Sequence, residues 1–429
     1  MIRTFALLIA MEVTMSAIAA PAIEKRVEEA AARVEAAVIA TRRDLHEHPE
    51  LGNRETRTAK IVADRLRALN IEVTEKVAHT GVIGVLRGGK PGKVIALRAD
   101  MDALPVTEQV DLPFASKVRT TYNGQEVGVM HACGHDAHVA ILLGVAEVLA
   151  GMRDEIPGTV KFVFQPAEEG APQGEEGGAE LMVREGALDN PKVDAIFGLH
   201  VTSRFPVGQI AYRPEGMMAA VDSFKIVVRG KQTHGAYPWL GVDPIVVSSQ
   251  IVLGLQTIPS RQLDSTTAPS IVTVGAIHGG VRSNIIPDEV EMIGTIRSLD
   301  AKMRDDLHAR IRRTAESIAA SAGATATVTI TTGYPITYND VALTERSVPT
   351  LRRTAGAANV LLVNPVLGAE DFSFFQQKVP GVFIWLGTRP KDQTPDQAPS
   401  NHSPLFYVDE SGLGLGVRAL ANLALDYLR

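Results

Sequence analysis

The chain has 429 residues, 45% of them hydrophobic, with 37 glycines, 24 prolines and a net charge of −6. This length suits two or three domains with a large core, and the composition is that of a folded protein with many turns. Positive and negative residues are interspersed and no basic run is present, so nucleic acid and anionic membrane surfaces are excluded as expected partners.

The first 22 residues, MIRTFALLIAMEVTMSAIAAPA, are typical of a secretory signal peptide. Arg3 precedes an apolar stretch, and the small-residue pattern Ala17-Ile18-Ala19 predicts cleavage after residue 19. Glu12 within the apolar stretch is unusual for a signal peptide, and the alternatives are an uncleaved amphipathic extension of a cytoplasmic protein or a start at Met11 or Met15. We expect an exported, periplasmic protein that has no membrane association after cleavage, because no later segment is long and apolar enough to span a bilayer.

Residues 22–215 read as the first part of an α/β catalytic domain. Apolar residues at helical spacing predict two amphipathic helices, followed by a strand pair within 71–89 with Gly88-Gly89 as its turn. Three apolar runs within 93–105, 159–170 and 194–201 have the character of buried strands. The segment 138–151 is apolar nearly all round and predicts a helix buried against the sheet.

Each of the three buried runs finishes on ionisable residues. Asp100 and Asp102 end the first run, Glu168 and Glu169 the second, and His200 the third. Ligands of open α/β sheets collect at the carboxyl ends of the strands. These side chains are therefore expected to converge in one crevice, although about a hundred residues of sequence separate them.

Residues 216–333 have a different order of elements, β-α-β-β-α-β, which is the ferredoxin-like arrangement. This segment interrupts the first domain as an insertion. Residues 334–429 then return to a final α/β portion, which contains GAEDFSFF, the apolar strand VFIWLG and the late NHSPLF.

The sequence HACGHDAH holds the only cysteine, so an internal disulfide is excluded. Its Cys-x-His element, together with paired glutamates after a strand and two later histidines, supplies side chains that suit a divalent ion such as Zn²⁺. The candidate ligands are Cys133, His135, Glu168 or Glu169, His200 and His402. The remaining histidines that we considered are expected on helix surfaces, in turns or as caps: His46, His48, His79, His278 and His308.

Several motifs occur in a recognisable order: RRDLHEHPELG, LRADMDALP, MHACGHDAHVA, QPAEEG, GLHV, KQTHGAYPWLGVDPIV, SNIIPDEVEMIGTIR and GAEDFSFF. In this the chain resembles the amidohydrolase branch of the aminoacylase/carboxypeptidase dimetal metallopeptidase family, which includes hippurate hydrolases, N-acyl-amino-acid amidohydrolases and plant auxin-conjugate hydrolases. The resemblance implies a zinc-exopeptidase-like catalytic domain with an inserted ferredoxin-like lid through which a homodimer forms.

The resemblance also implies residue roles. It makes Cys133, His135, Glu169, His200 and His402 the ligands of two divalent metal ions, Zn²⁺ or Mn²⁺ with Co²⁺ as an alternative. Glu168 becomes the general base that acts on a metal-activated water, and Asp102 orients a ligand imidazole. Asp100 stands where the dimetal peptidases have a ligand histidine, and Cys133 is expected to take over that vacant position. His234 is expected to reach a partner subunit's site and stabilise the oxyanion, with Asn284 as a second substrate contact.

The predicted reaction is hydrolysis of the amide bond of N-acyl or N-aroyl amino acids such as hippurate. The alternative enzyme is a dipeptidase or carboxypeptidase on the same scaffold. A binding protein that has lost catalysis is disfavoured, because Glu168 and all five proposed ligands are present. Glu370 and Asp371 are expected to cap a turn, with support of His402 or contact with the substrate as the alternative.

Overall fold

The computed structural model describes side chains from residue 23 to residue 429, so the predicted signal peptide at residues 1–19 lies outside the described residues. The chain divides into two compact units. The first unit consists of Met1–Pro214, Asn339–Val363 and Phe374–Arg429, and the second of Glu215–Tyr338 and Asn364–Ser373. The sequence prediction had placed residues 364–373 in the final α/β portion.

The strands, in chain order, are β1 (Glu72–Val77), β2 (Gly81–Arg87), β3 (Lys90–Asp100), β4 (Arg119–Tyr122), β5 (Gln125–Gly128), β6 (Pro157–Gln165), β7 (Ala195–Pro206), β8 (Ile210–Tyr212), β9 (Glu215–Met218), β10 (Ala220–Arg229), β11 (Thr233–His234), β12 (Ser270–Gly279), β13 (Ile285–Ile286), β14 (Glu289–Ser298), β15 (Thr325–Thr332), β16 (Thr337–Asn339), β17 (Val360–Leu362) and β18 (Gly381–Arg389). The helices are α1 (Ile2–Glu47), α2 (Thr56–Ala68), α3 (His135–Ala150), α4 (Gly178–Arg184), α5 (Pro244–Thr257), α6 (Ala301–Ser321), α7 (Val341–Ala355), α8 (Ser373–Gln376) and α9 (Leu413–Leu428).

An eight-stranded sheet forms the centre of the first unit, in the order β1-β2-β6-β3-β7-β18-β8-β17. Its middle strands, β6, β3, β7 and β18, run parallel to one another. Helices α1, α3 and α9 pack together, and α3 and α9 also contact β3 and β7. Nearly every residue of α3 is buried, because the apolar side chains of this helix face both the sheet and its neighbouring helices. The mixed α/β fold expected from the sequence is confirmed.

The second unit contains a four-stranded antiparallel sheet in the order β12-β14-β10-β15. Helices α5 and α6 connect the strands, which gives the predicted β-α-β-β-α-β order and the strand arrangement of a ferredoxin-like fold. The apolar side chains of both helices form a core with the sheet that is separate from the core of the first unit. A short ribbon of β11 and β13 is built into the connections, with His234 opposite Ile285.

The turns differ from the prediction at two places. β1 and β2 are joined through residues 78–80, where Ala78 and His79 adopt positive φ angles, and not at Gly88-Gly89, which leads from β2 into β3. A hairpin of β4 and β5 that we did not predict turns at Asn123-Gly124, and both residues have positive φ. That dipeptide is a strong hairpin signal. Among the described residues, no helix is both long and apolar enough to cross a membrane.

Candidate metal centre

The register of the parallel strands explains why distant residues meet. β3 pairs with β6 as far as Asp100 opposite Gln165, and with β7 as far as Arg98 opposite Gly198. Asp102, the 166–170 turn and His200 therefore lie at the same edge of the sheet, as the sequence predicted from the strand ends. His200 itself is inside β7, since that strand continues to Pro206. The loop before α3 brings Cys133 and His135 to this edge.

The five predicted ligands form one cluster of donor atoms. The sulfur of Cys133 lies 3.3 Å from Nε2 of His200 and 3.3 Å from Nε2 of His402. Nε2 of His402 is 3.0 Å from Oε1 of Glu169. Donor atoms of His135, Glu168 and Glu169 form an adjoining set in which all atoms lie within 4.8 Å of one another. The structure thus brings all five together.

The protonation pattern of the imidazoles fits a cation. Nδ1 of His135 donates to the backbone oxygen of Asp102 at 2.8 Å, and Nδ1 of His200 donates to the backbone oxygen of Val201 at 2.7 Å. In each ring Nδ1 therefore carries a proton, which leaves Nε2 as the nitrogen that can bind an ion when it gives up its own proton. Nε2 of His135 is buried and has no hydrogen-bond partner. A buried imidazole nitrogen without a partner, next to a thiol and carboxylates, is an arrangement that a divalent ion satisfies when it displaces the protons.

The electrostatics of the cluster agree with this fit. Burial raises the pKa of Cys133 well above its usual range, and Glu169 and Glu168 raise it further. Burial lowers the pKa of His135, but the carboxylates of Asp100 and Asp102 outweigh burial and raise it to about 10. Both shifts reflect an excess of negative charge in a buried space. A bound cation compensates that charge and stabilises the thiolate.

Asp100 and His138 lie beside the cluster but are occupied by other partners. Arg98 donates to one carboxylate oxygen of Asp100 at 2.6 Å, and Nδ1 of His138 donates to the other at 2.5 Å. Nε2 of His138 accepts the backbone N–H of Val201 at 2.8 Å. The two nitrogens of His138 are therefore both used within the protein, and this residue supports the site rather than offering a free donor atom.

Two carboxylates hold the turn that carries Glu168. Glu55 accepts the backbone N–H of Ala167 at 2.8 Å, and Asp102 accepts the backbone N–H of Glu169 at 2.9 Å. Ala167 has a φ of 51°, a left-handed conformation that costs free energy in a residue other than glycine. The backbone on both sides of Glu168 is thus fixed by an acid from another element, and we call Glu55 and Asp102 the carboxylate clamp.

The loop of His402 is tied to the loop of Cys133 by backbone contacts. The backbone N–H of His402 donates to Ala132 at 2.8 Å. The side chain of Asn401 donates to the backbone oxygens of Cys133 and Val201 at 3.0 and 3.1 Å. These bonds explain how a residue almost 270 positions after Cys133 reaches the cluster. Sequence reasoning missed Asn401 and Glu55, although Asn401 stands directly beside a candidate ligand.

The two remaining predicted site residues lie in the second unit. His234 and Asn284 are neighbours there, because the backbone N–H of Gly235 donates to the backbone oxygen of Asn284 at 2.8 Å. Nδ1 of His234 accepts the backbone N–H of Ala236, so Nε2 carries the proton and can donate. Glu370 caps a turn, since its Oε1 accepts the backbone N–H of Phe372 at 3.0 Å.

One prediction about the histidines was wrong. His46 was expected on a helix surface, a turn or a cap, but it is only 1% exposed. Its Nδ1 lies 2.8 Å from Asp136 and its Nε2 3.0 Å from Glu108. His46 faces inward because α1 packs on α3, which carries Asp136 in its first turn. The face of α1 that carries His46 is therefore not on the surface, and His46 belongs to a buried network of charged side chains.

The model of Peptidase family M20/M25/M40 matches residues 96–426. The chain belongs to this family. It is 46% identical over 392 residues to thermostable carboxypeptidase 2 of Saccharolobus solfataricus, which covers 91% of this chain and 95% of the relative. It is 39% identical over 392 residues to N-acetylcysteine deacetylase of Bacillus subtilis, which covers 91% and 97%.

Among solved structures, the Bacillus subtilis protein YxeP is described as a dinuclear metal-binding peptidase of the same family. It matches with a TM-score of 0.77 and 37% identity, covering 92% of this chain and 99% of that one. The family resemblance read from the sequence is confirmed. The chain is accordingly a metal-dependent hydrolase of amide or peptide bonds.

Proposed function

We propose that this hydrolase cleaves the amide bond of N-acyl or N-aroyl amino acids, with Glu168 as the general base. The observation that carries the proposal is the position of Glu168. Its side chain is buried, its Oε2 lies 3.8 Å from Nε2 of His135, and the carboxylate clamp holds the backbone on both sides of it. A carboxylate at this place can take a proton from an attacking water and return it to the leaving nitrogen.

The five clustered donors would hold two divalent metal ions, for which we propose Zn²⁺ or Mn²⁺, with Co²⁺ as the alternative. A thiolate and imidazoles favour Zn²⁺ and similar borderline ions. When bound, such an ion lowers the pKa of a water molecule and polarises a carbonyl oxygen. Asp102 fixes the ring of His135 through its backbone oxygen, and its Oδ1 lies 3.3 Å from the same ring nitrogen.

Substitution Glu168→Gln tests the base. The neutral amide keeps the shape of the side chain but accepts no proton, so we expect kcat on benzoyl-glycine to fall about 10²- to 10⁴-fold with the metal content unchanged. Glu176→Gln, at an exposed glutamate paired with Arg184, is the matched control and should keep full activity. Full activity of Glu168→Gln would refute the assignment.

A metallo-carboxypeptidase or dipeptidase is the second candidate, which the 46% identity to thermostable carboxypeptidase 2 supports. Initial rates with benzoyl-glycine and acetyl-cysteine, compared with unblocked dipeptides at equal concentration, separate the two. We expect the N-blocked substrates to be preferred. Preference for unblocked dipeptides would replace the first candidate by the second, and no turnover of either class with Zn²⁺, Mn²⁺ or Co²⁺ would refute both.

We further propose that the second unit forms a homodimer in which His234 and Asn284 contact the substrate bound to the partner. An exposed apolar face on α5, with Ile245, Val246 and Leu253 at 43%, 54% and 71% exposure, supports this. Strand β12 is an unpaired edge of its sheet, which is suited to pairing with a second copy. Specific activity across a dilution series through dimer dissociation tests the proposal, and unchanged activity of the monomer would overturn it.

Export to the periplasm stays a proposal that depends on the signal-like residues 1–19. We expect the mature N-terminus of protein made in a bacterial host to begin after residue 19. N-terminal sequencing of the periplasmic fraction measures this directly. An intact N-terminus in the cytoplasmic fraction would favour the alternative location.

A further inference from the structure

The motif RRDLHEHPELG at residues 42–52 supplies none of the five clustered donors, yet two of its basic side chains are buried. Arg42 and His46 are each only 1% exposed. Both lie near the end of α1, which packs against α3. A buried cation costs free energy unless an acid is paired with it. These two side chains therefore need buried acids as partners.

The ring of His46 contacts two acids at once. Its Nδ1 lies 2.8 Å from Oδ2 of Asp136 and its Nε2 lies 3.0 Å from Oε1 of Glu108, and both acid side chains are at most 1% exposed. An ionised carboxylate only accepts, so both ring nitrogens donate. Burial lowers the pKa of His46, and Arg42 lowers it further, but the two carboxylates outweigh both and raise it. We call Asp136, His46 and Glu108 the imidazole bridge.

The Asp136 end of the bridge lies in the helix turn that carries a proposed ligand. Asp136 directly follows His135 in the first turn of α3. That turn begins after Gly134, whose φ is 92°, and within the described part of the chain no side chain caps it. Nε of Arg42 also lies 2.8 Å from Oδ2 of Asp136. The contacts with α1 therefore hold this turn where a capping side chain would otherwise do so.

The Glu108 end of the bridge lies beside the loop of a second proposed ligand. The other oxygen of Glu108 accepts the backbone N–H of Ser116 at 2.6 Å, which fixes the carboxylate between two partners. The backbone N–H of the next residue, Gln109, donates to the backbone oxygen of Pro404 at 2.9 Å. Pro404 stands two positions after His402. This end of the bridge is therefore one residue away from a bond to the His402 loop.

We propose that His46 is a positioning residue of the metal centre, which sets the geometry of the donor cluster by joining Asp136 to Glu108. The inference rests on the proposed ligand set and does not depend on the substrate. Loss of the bridge should displace His135 and His402 relative to each other without removing a donor atom. Residues that orient metal ligands in this way influence metal affinity although they do not touch the metal.

Three substitutions interrupt the bridge to different extents. His46→Phe keeps a ring of similar size but removes both donors, and it leaves two buried carboxylates without this partner. His46→Gln is the conservative variant, because its amide nitrogen can still donate to one of the acids. Glu108→Gln offers one acceptor oxygen to the two donors of His46 and Ser116. His48→Gln is the matched control, since this exposed histidine of the same motif contacts only Asp44.

Binding of Co²⁺ to the metal-free, full-length chain measures the position of the ligands without any substrate. The absorption spectrum of bound Co²⁺ reports coordination geometry and contains a charge-transfer band when a thiolate binds. Competition with a chelator gives the affinity, and circular dichroism shows whether each variant is folded. We expect His46→Phe to weaken Co²⁺ binding about tenfold, the lower end of the range for loss of a supporting residue, and to change the thiolate band.

The other variants have graded expectations. His46→Gln and Glu108→Gln should each weaken Co²⁺ binding less than His46→Phe does, and each should change the spectrum. His48→Gln should match wild type in affinity and spectrum. If His46→Phe does not fold, the two glutamine variants decide by the same criteria.

Two outcomes would overturn the positioning role. Folded variants of the bridge could bind Co²⁺ with the affinity and the spectrum of wild type, or they could lose thermal stability with both quantities unchanged. If wild type itself binds no Co²⁺, the proposed ligand set fails and the positioning role fails with it. If wild type binds Co²⁺ as expected but hydrolyses no N-blocked amino acid, the proposed function fails while the role of His46 stands on the binding data.

Discussion

Replacing Glu55 by glutamine should stabilise the metal-free protein, and should do so only at higher pH. The side chain of Glu55 is fully buried, and it accepts hydrogen bonds from the backbone of Ala167 and from the hydroxyl of Thr80. Burial and, secondarily, the charge of Asp102 raise the pKa of Glu55 from 4.5 to about 8. The fold therefore favours the protonated form of this acid.

The sign and size of the change in stability follow from the difference between the ordinary pKa of Glu55 and its pKa in the folded protein. A raised carboxyl pKa leaves stability intact below the unfolded-state value and removes it progressively as the pH rises towards the folded-state value. At about 1.4 kcal/mol for each pH unit, the interval from 4.5 to about 8 corresponds to about 5 kcal/mol as an upper limit. Glutamine carries no charge at any of these pH values, so Glu55→Gln avoids the loss.

Denaturant unfolding in the presence of a chelator, at a series of pH values from 4.5 to 9, measures the effect. The free energy of unfolding of Glu55→Gln minus that of wild type should be near zero at pH 4.5 and should rise to a few kcal/mol at pH 9. Glu180→Gln, at an exposed glutamate of α4, controls for the loss of a carboxylate. A difference for Glu55→Gln that does not change with pH would refute the reasoning.

A second variant separates charge from hydrogen bonding at the same position. Glu55→Leu leaves the backbone N–H of Ala167 buried without its acceptor, which costs about 1–3 kcal/mol at every pH. The turn that carries Glu168 is then released, so kcat should fall while KM stays near the wild-type value. Because glutamine retains an oxygen that can accept this hydrogen bond, Glu55→Gln should keep the kcat of wild type. Equal kcat of the leucine and glutamine variants would show that the clamp has no positioning role.

Two further substitutions test the cluster itself. Cys133→Ala removes the sulfur that lies 3.3 Å from two imidazole nitrogens. Loss of a residue that only supports a metal ligand lowers metal affinity about 10- to 100-fold, and we expect at least this loss here, measured as the metal content after dialysis by atomic emission. A metal content equal to that of wild type would contradict the ligand set. In Gly134→Ala a Cβ would lie 2.3 Å from the side chain of Val201, so thermal unfolding should show a loss of about 1–3 kcal/mol beyond that of Gly124→Ala, which has a similar positive φ and an open surrounding. Equal losses in the two glycine variants would show that the contact is relieved.

The sheet and the ligand-bearing edge could be predicted because they depend on signals of long range in the sequence. Apolar runs marked β3, β6 and β7, and parallel strands place their carboxyl ends at one edge. The residue types indicated the kind of site as well, since cysteine, histidine and glutamate together at the ends of strands are typical of metal binding. The inserted ferredoxin-like unit could be predicted because the hydrophobic pattern of its sequence indicates each strand and helix in turn.

Short-range features were harder to predict because tertiary contacts override local preference. Ala78 and His79 adopt positive φ angles in the turn between β1 and β2, where glycine would be expected. Because Gly88-Gly89 is nearby in the sequence, the turn was predicted there and not at residues 78–80. His46 shows the same effect for burial, since nothing local to α1 indicates that Asp136 and Glu108 will enclose its ring.

The two site residues that sequence reasoning missed, Glu55 and Asn401, both hold loops with an unfavourable backbone conformation. Ala167 and His402 have positive φ, at 51° and 71°, and they stand in the loops that carry the proposed base and ligands. Each conformation costs free energy and persists only when neighbours hold it. Here Glu55 binds the backbone of the first loop, and Asn401 binds the backbone of strand β7 and of the Cys133 loop. Such bonds join a common side chain to a backbone atom of any residue, so they leave no pattern in the sequence, although the geometry of the donor cluster depends on them.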